Sequence, residues 1–333
     1  MDQEAGMSKR RTSAWFARRG PLPVDPPVLM AFACIVVLLF IGSFFSRNFL
    51  SPGYLLQQLQ VASFLGVIAA GAMVVILLGH IDLSVPWTLT VGAMAATAVA
   101  ANLPFGDAAA IIAAILVGGL VGLVNGIGAA VLRVPSMIFT LGVNAVLNGI
   151  VILYTGGFAP RNAATPFMNW IAVGRPILDI PNAVFVWIAI SLIVAFILRR
   201  TPLGRYIYAA GNSEGSVYLS GINTQAVIII AFVISGIGNS LGGVLLAGYA
   251  GQAYQSMGDP YLLPAIAAVV LGGTNVLGGR GSYLGTVAGV LLITLLGSML
   301  SVMQIAEAGR QIAYGAAIIL MLLAYGRSPK GRE

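Results

Sequence analysis

The chain has 333 residues, of which 59% are hydrophobic and only 8% charged, and its mean hydropathy is +0.96. Soluble domains carry roughly 25% charged residues, so this composition excludes a water-covered surface and makes lipid the main solvent. The net charge of +7 does not point to nucleic acid, because the basic residues gather near the ends of apolar runs, where topology signals sit.

Residues 1–27 carry Lys9, Arg10, Arg11, Arg18 and Arg19 ahead of the apolar run 28–45. That run is long for a secretory signal, and Ser46-Arg47-Asn48-Phe49 offers no small-x-small cleavage pattern. We read 1–27 as a basic cytoplasmic leader, 28–325 as a single transmembrane domain and 326–333 as a cytoplasmic tail. Apolar runs predict about ten spans, near 28–45, 61–79, 85–102, 109–132, 136–155, 182–199, 225–249, 262–278, 283–303 and 310–325. Cys34 lies inside the first and reads as a small core residue; as the one cysteine it has no disulfide partner. With His80 the one histidine, no metal site or cofactor is expected.

Three runs are weak as simple spans. The second ends in Gly79-His80-Ile81-Asp82, the eighth begins at Pro264 and ends in Gly272-Gly273-Thr274-Asn275, and the ninth is rich in glycine. Val74–Leu83 and Val269–Leu277 share a Val-Val then Leu-Gly pattern, a weak sign of internal duplication. Glycines four apart, at Gly118, Gly122 and Gly126, at Gly238 and Gly242, and at Gly281, Gly285 and Gly289, predict helices packed backbone to backbone. With the N-terminus inside, alternation leaves thirteen of the 17 basic residues inside and four, Arg47, Arg161, Arg175 and Arg310, outside. The positive-inside rule therefore favours cytoplasmic termini.

Two connections are polar. Residues 156–181 would lie outside and could form a docking surface. Residues 200–224 would lie inside, with apolar residues at helical spacing, which predicts a short amphipathic helix on the cytoplasmic face.

No catalytic constellation is present, and the phosphate-loop spacing with its lysine is missing, so any ATP used must be hydrolysed by another subunit. Buried amides and hydroxyls at Asn125, Thr140, Asn144, Asn148, Ser235, Asn239 and Ser240 must face protein or a watery path. They read either as interhelical hydrogen bonds or as a polar track for a neutral, hydroxyl-rich solute. Asp82 either caps the helix that follows it or meets that solute, and Phe139 and Phe158 could stack on a sugar ring or act as a gate.

Four segments resemble the membrane-spanning permeases of ribose-type (ribose, xylose, arabinose, galactose) sugar ABC importers. They are Gly79-His80-Ile81-Asp82-Leu83-Ser84-Val85; Asn125-Gly126 followed by Pro135, Phe139, Thr140 and Gly142; Thr201 to Glu214 followed by Ser220-Gly221-Ile222; and Ala265 to Thr274 followed by Gly278-Gly279-Arg280-Gly281-Ser282. His80, Pro86-Trp87 and Pro264 depart from that pattern.

The resemblance implies an all-α polytopic bundle of the type II ABC importer class in the bacterial inner membrane. It implies a non-catalytic transport subunit that pairs with a second permease copy or paralogue within membrane lipid. A periplasmic binding protein would deliver the sugar and cytoplasmic ABC ATPase subunits would drive its passage. Gly204, Arg205, Ala209, Gly211, Asn212 and Glu214 would form the loop that meets the ATPase, with Leu203, Tyr206, Ala209 and Val217 filling a partner groove. A related permease for a nucleoside, a branched-chain amino acid or a furanosyl signal is the alternative, ahead of an ion-coupled carrier.

Overall fold

The structure is a computed structural model that describes residues 26–102, 106–157 and 162–326. The basic leader up to residue 25, Phe158, Arg161 and the C-terminal tail from residue 327 lie outside the described residues. Among those described the fold is all helix, with two isolated bridge pairs and no strand. The helices are α1 Pro26–Phe45, α2 Pro52–Ile76, α3 Val85–Asn102, α4 Gly106–Ala130, α5 Ser136–Thr155, α6 Pro166–Val173, α7 Asn182–Arg200, α8 Pro202–Asn212, α9 Glu214–Leu219, α10 Thr224–Ala250, α11 Leu262–Leu271, α12 Tyr283–Val302 and α13 Glu307–Gly326.

Local chemistry fixes several starts. Ser51, Thr165 and Thr201 each accept a hydrogen bond from the N–H three residues on, and each is followed by proline at the first helical position. A side-chain oxygen satisfies one orphan N–H while proline supplies a pre-set φ. Asn223 does the same for Ala226 at the head of α10.

Among the described residues seven helices, α1, α2, α4, α5, α7, α10 and α12, are long and apolar enough to cross a membrane. Their outward residues could not face water in such numbers: Phe44, Leu116, Leu153 and Phe196 are each more than 60% exposed, a surface that only lipid or another apolar chain can cover. Cys34 belongs to this surface. It is exposed on α1, which corrects its reading as a core residue.

The core forms around α2 and α10. Almost every residue of α2 from Ala62 to Ile76 is buried, and α10 packs on α2, α3 and α4. Missing side chains make the α4–α10 contact possible. A Cβ on Gly118 would come within 2.3 Å of the Gly236 carbonyl, and one on Gly122 within 2.3 Å of the Phe232 carbonyl. The glycines spaced by four therefore serve tight packing here. Gly285 and Gly289 do the same between α12 and the end of α11.

Two breaks organise the bundle. The second predicted span stays helical only to Ile76 and then turns at Gly79, whose φ of +79° is costly for any residue with a Cβ. The eighth is helical only over Leu262–Leu271, after a 3-10 turn, and continues as a glycine-rich loop. The two breaks meet: the Gly279 N–H donates to the Leu77 carbonyl at 2.8 Å, and a Cβ on Gly79 would touch the Leu277 carbonyl at 3.0 Å. The segments whose sequences resemble each other thus face each other in space.

The bundle has two distinct ends. One gathers α6, the start of α2, the ends of α10 and α12 and the start of α13, tied by Ala164 N–H to the Gly251 carbonyl and by Gln255 to Thr155. The other gathers the breaks, the α4–α5 turn at Arg133 and the connection 200–224, which folds as α8 and α9. α8 is amphipathic, burying Gly204, Ile207 and Ala210 and exposing Arg205, Ala209 and Asn212.

Candidate transport site

An extended backbone inside an apolar bundle must find partners for its N–H groups, since each unpaired one costs several kcal/mol in a lipid-like medium. The segment 80–84 finds them on one face of α5. Ile81 N–H donates to Ser136 Oγ at 3.3 Å, Leu83 N–H to Thr140 Oγ1 at 2.9 Å and Trp87 N–H to Asn144 Oδ1 at 3.4 Å. Ser136, Thr140 and Asn144 are four apart, so one helix face carries a ladder of acceptors matched to the break.

Asp82 is the centre of the break and is buried. Its Oδ1 accepts from Ser84 N–H at 2.9 Å and Ser84 Oγ at 2.6 Å, an Asx turn leading into α3. Its Oδ2 accepts from Ser235 Oγ of α10 at 3.2 Å. Asn125 of α4 donates to Ser84 Oγ at 2.7 Å, and Asn239 donates to Ser235 Oγ at 3.4 Å. Six sequence-predicted residues, Asp82, Asn125, Thr140, Asn144, Ser235 and Asn239, therefore join one network linking α3, α4, α5 and α10 through the break. Among the described residues Asn125 Oδ1, Asn239 Oδ1 and Ser240 Oγ are buried without a partner, so acceptor capacity remains inside the bundle.

Two predicted residues lie elsewhere. Phe139 lays its ring on Gly128, where a Cβ would sit 2.3 Å from it, which closes the α4–α5 turn. Asn148 is one turn beyond Asn144 on α5, half-buried and outside the network.

A cleft of about 1,440 Å³ opens at the end that holds the breaks. His80, Arg133, Ser136 and Glu214 line it, with Tyr218 and Leu219 at its rim. α9 lines the cleft, and α8, just before it in the chain, packs against the breaks. Gly204 sits against the Ile197 and Leu198 carbonyls, and Gly211 against the Leu77 carbonyl and the Gly279 nitrogen. Asn212 Nδ2 donates to the Gly279 carbonyl at 3.1 Å, Tyr208 O–H to the Gly281 carbonyl at 3.0 Å, and Thr224 O–H to Glu214 at 3.3 Å. Val217 is buried in this chain's own core, which corrects its reading as a groove-filling residue; the exposed apolar side chains are Tyr218, 69% exposed, and Leu219, 87% exposed.

A smaller cavity of about 370 Å³ lies at the opposite end, lined by Tyr54, Gln58, Tyr261, Thr294, Arg310 and Tyr314 among others. No apolar-run or motif argument singled out these residues. The available signal was the recurrence of tyrosine at the ends of successive apolar runs.

A lipid-faced helical bundle with a polar network at a broken span, a cleft at one end and a cavity at the other has the build of a multi-pass membrane transport protein. Residues 54–324 match the family described as branched-chain amino acid transport system / permease component, and the chain belongs to that family. It is 34% identical over 300 residues to the ribose import permease protein RbsC of Haemophilus influenzae, covering 88% of this chain and 91% of the relative. It is 31% identical over 290 residues to the D-allose transport system permease protein AlsC of Escherichia coli K12, covering 86% and 88% respectively. It is 30% identical over 301 residues to the autoinducer 2 import system permease protein LsrC of Escherichia coli K12 / DH10B, covering 90% and 86%. No solved structure matches the chain.

Proposed function

We propose that this chain is the membrane-spanning subunit of an ATP-driven importer that carries a monosaccharide across the bacterial inner membrane. The relatives named for ribose and allose support the solute class. In this reading the chain crosses the membrane ten times with cytoplasmic termini, as the thirteen-to-four partition of basic residues favours. The end holding α8, α9 and the breaks faces the cytoplasm and receives ABC ATPase subunits. The opposite end receives a periplasmic sugar-binding protein, and a second permease copy or paralogue covers part of the bare apolar surface.

One observation carries the proposal. The α8–α9 unit exposes Arg205, Tyr218 and Leu219 while holding both breaks from behind through Gly211 and Asn212. A partner that pulls on this unit pulls on the network around Asp82, which is the geometry a two-state gate needs. The experiment is reconstitution in vesicles with the cognate ATPase and binding protein. Labelled monosaccharide should accumulate only with ATP inside and all subunits present. Accumulation by this chain alone without nucleotide, or labelling that places Arg205 on the periplasmic side, would defeat it. The relative named for autoinducer 2 favours a furanosyl signal as second reading, and competition for the binding protein separates the two.

A further inference from the structure

The 370 Å³ cavity lies away from the Asp82 network, among the first turns of α2, the loop before α11, the end of α12 and the start of α13. Its volume falls in the roughly 300–1,000 Å³ range of small-molecule sites. Two of its polar atoms are buried with no hydrogen-bond partner among the described residues: Thr294 Oγ1 and Arg310 Nε. Thr294 is only 8% exposed. Buried polar atoms of folded proteins are nearly always satisfied, so two orphans lining one cavity point to a missing occupant.

The lining defines that occupant's chemistry. Arg310 forms an ion pair with Glu307 at 3.0 Å and donates to Ser301 Oγ at 2.8 Å, so the cavity's two charges cancel. A neutral ligand is therefore favoured over an anion or a cation. Arg310 Nε–H requires an acceptor, whereas the Thr294 hydroxyl takes either a donor or an acceptor. Hydroxyl groups serve both. Tyr54, Tyr254, Tyr261 and Tyr314 add rings and phenol oxygens to the same wall, a combination that gives apolar area for the C–H face of a sugar ring together with polar tips for its hydroxyls. We infer that this cavity is a binding site for one neutral, monosaccharide-sized polyol, formed within a single permease chain and separate from the broken-span network. The inference rests on the monosaccharide reading above. It adds a holding position at the end where that reading places the binding protein.

The test uses the full chain in lipid nanodiscs, with the exposed Cys34 replaced by serine and a reporter introduced at the cavity wall as Gln58→Cys. The maleimide reaction rate at that position is measured against rising ribose, allose and galactose, and against choline and phosphoethanolamine. At least one monosaccharide should slow labelling saturably. Thr294→Val, which keeps shape and removes the hydroxyl, should raise the half-protecting concentration about three- to tenfold, the worth of one neutral hydrogen bond. Arg310→Gln should weaken protection as well, and unchanged melting curves should accompany both substitutions. Protection by choline or phosphoethanolamine alone would overturn the inference in favour of a lipid headgroup. Protection by no sugar, or protection indifferent to Thr294→Val, would overturn it too. Uptake by the assembled importer separates the two levels. Sugar uptake with no protection removes only the cavity site, whereas neither uptake nor protection removes the solute class with it.

Discussion

Thr140→Val isolates the cost of the broken span. Valine matches threonine in shape, and its loss of the hydroxyl leaves the Leu83 N–H, now bonded at 2.9 Å, facing a methyl group inside the bundle. The Thr140 hydroxyl also donates to the Ser136 carbonyl at 2.8 Å, but that carbonyl lies in the first turn of α5 and keeps a helical partner. One buried donor is thus orphaned, at a cost of about 1–3 kcal/mol. Polar contacts in membranes sit near the low end, averaging about 0.6 kcal/mol where the unfolded reference finds new partners. Leu83 has no such freedom, because Asp82 and Ser84 on either side are held by α4 and α10. We expect the upper part of the range and a melting temperature lower by several degrees. Thr140→Ser should restore it. Ser136→Ala, with its longer 3.3 Å bond, should cost less. Differential scanning fluorimetry in nanodiscs reads all three, and a Thr140→Val protein as stable as Thr140→Ser would refute the assignment of α5 as the acceptor strip of the break.

Other expectations follow from single contacts. Gly122→Leu should destabilise by about 1–3 kcal/mol through overpacking, since even a Cβ there meets the Phe232 carbonyl at 2.3 Å; yield and melting temperature report it. Leu219→Ser, on a side chain 87% exposed, should leave melting unchanged while weakening ATPase association about tenfold, within the range of an interface anchor, as read by pull-down of the assembled complex.

How much was legible differed by kind of signal. The long apolar helices were readable because lipid imposes composition directly: α1, α5 and α7 fall close to their predicted runs. The ends of the interrupted spans were not. Hydropathy registers Leu77 and Leu78 as continuous with α2, yet the helix ends at Ile76 and Gly79 at positive φ turns the chain. What sequence did hold was the list of polar residues in apolar surroundings, and six of them converge on that turn. It could not pair them, since which hydroxyl meets which N–H depends on α5 lying alongside residues 81–87. The glycine repeats were legible as close contacts but not as contacts with particular carbonyls. The cavity near Arg310 was invisible because its walls come from four separate stretches of chain with no common motif.

The arrangement of α8 gives these pieces a mechanical order. Gly211 is seated where the carbonyl of Leu77 and the nitrogen of Gly279 leave no room for a side chain, and Asn212 bonds the Gly279 carbonyl. Gly279 N–H in turn bonds Leu77. One helix therefore touches both breaks at the point where they touch each other. From Leu77 the chain runs through four residues to Asp82, whose carboxylate joins α4 and α10 by way of Ser84, Asn125 and Ser235. A displacement of α8 reaches Leu77 and Gly279 directly, because at Gly211 backbone rests on backbone. Interiors packed this closely shift between discrete arrangements rather than deform, so the contacts that satisfy the breaks inside the bundle would also carry a displacement of α8 to them, as the proposed ATPase coupling requires.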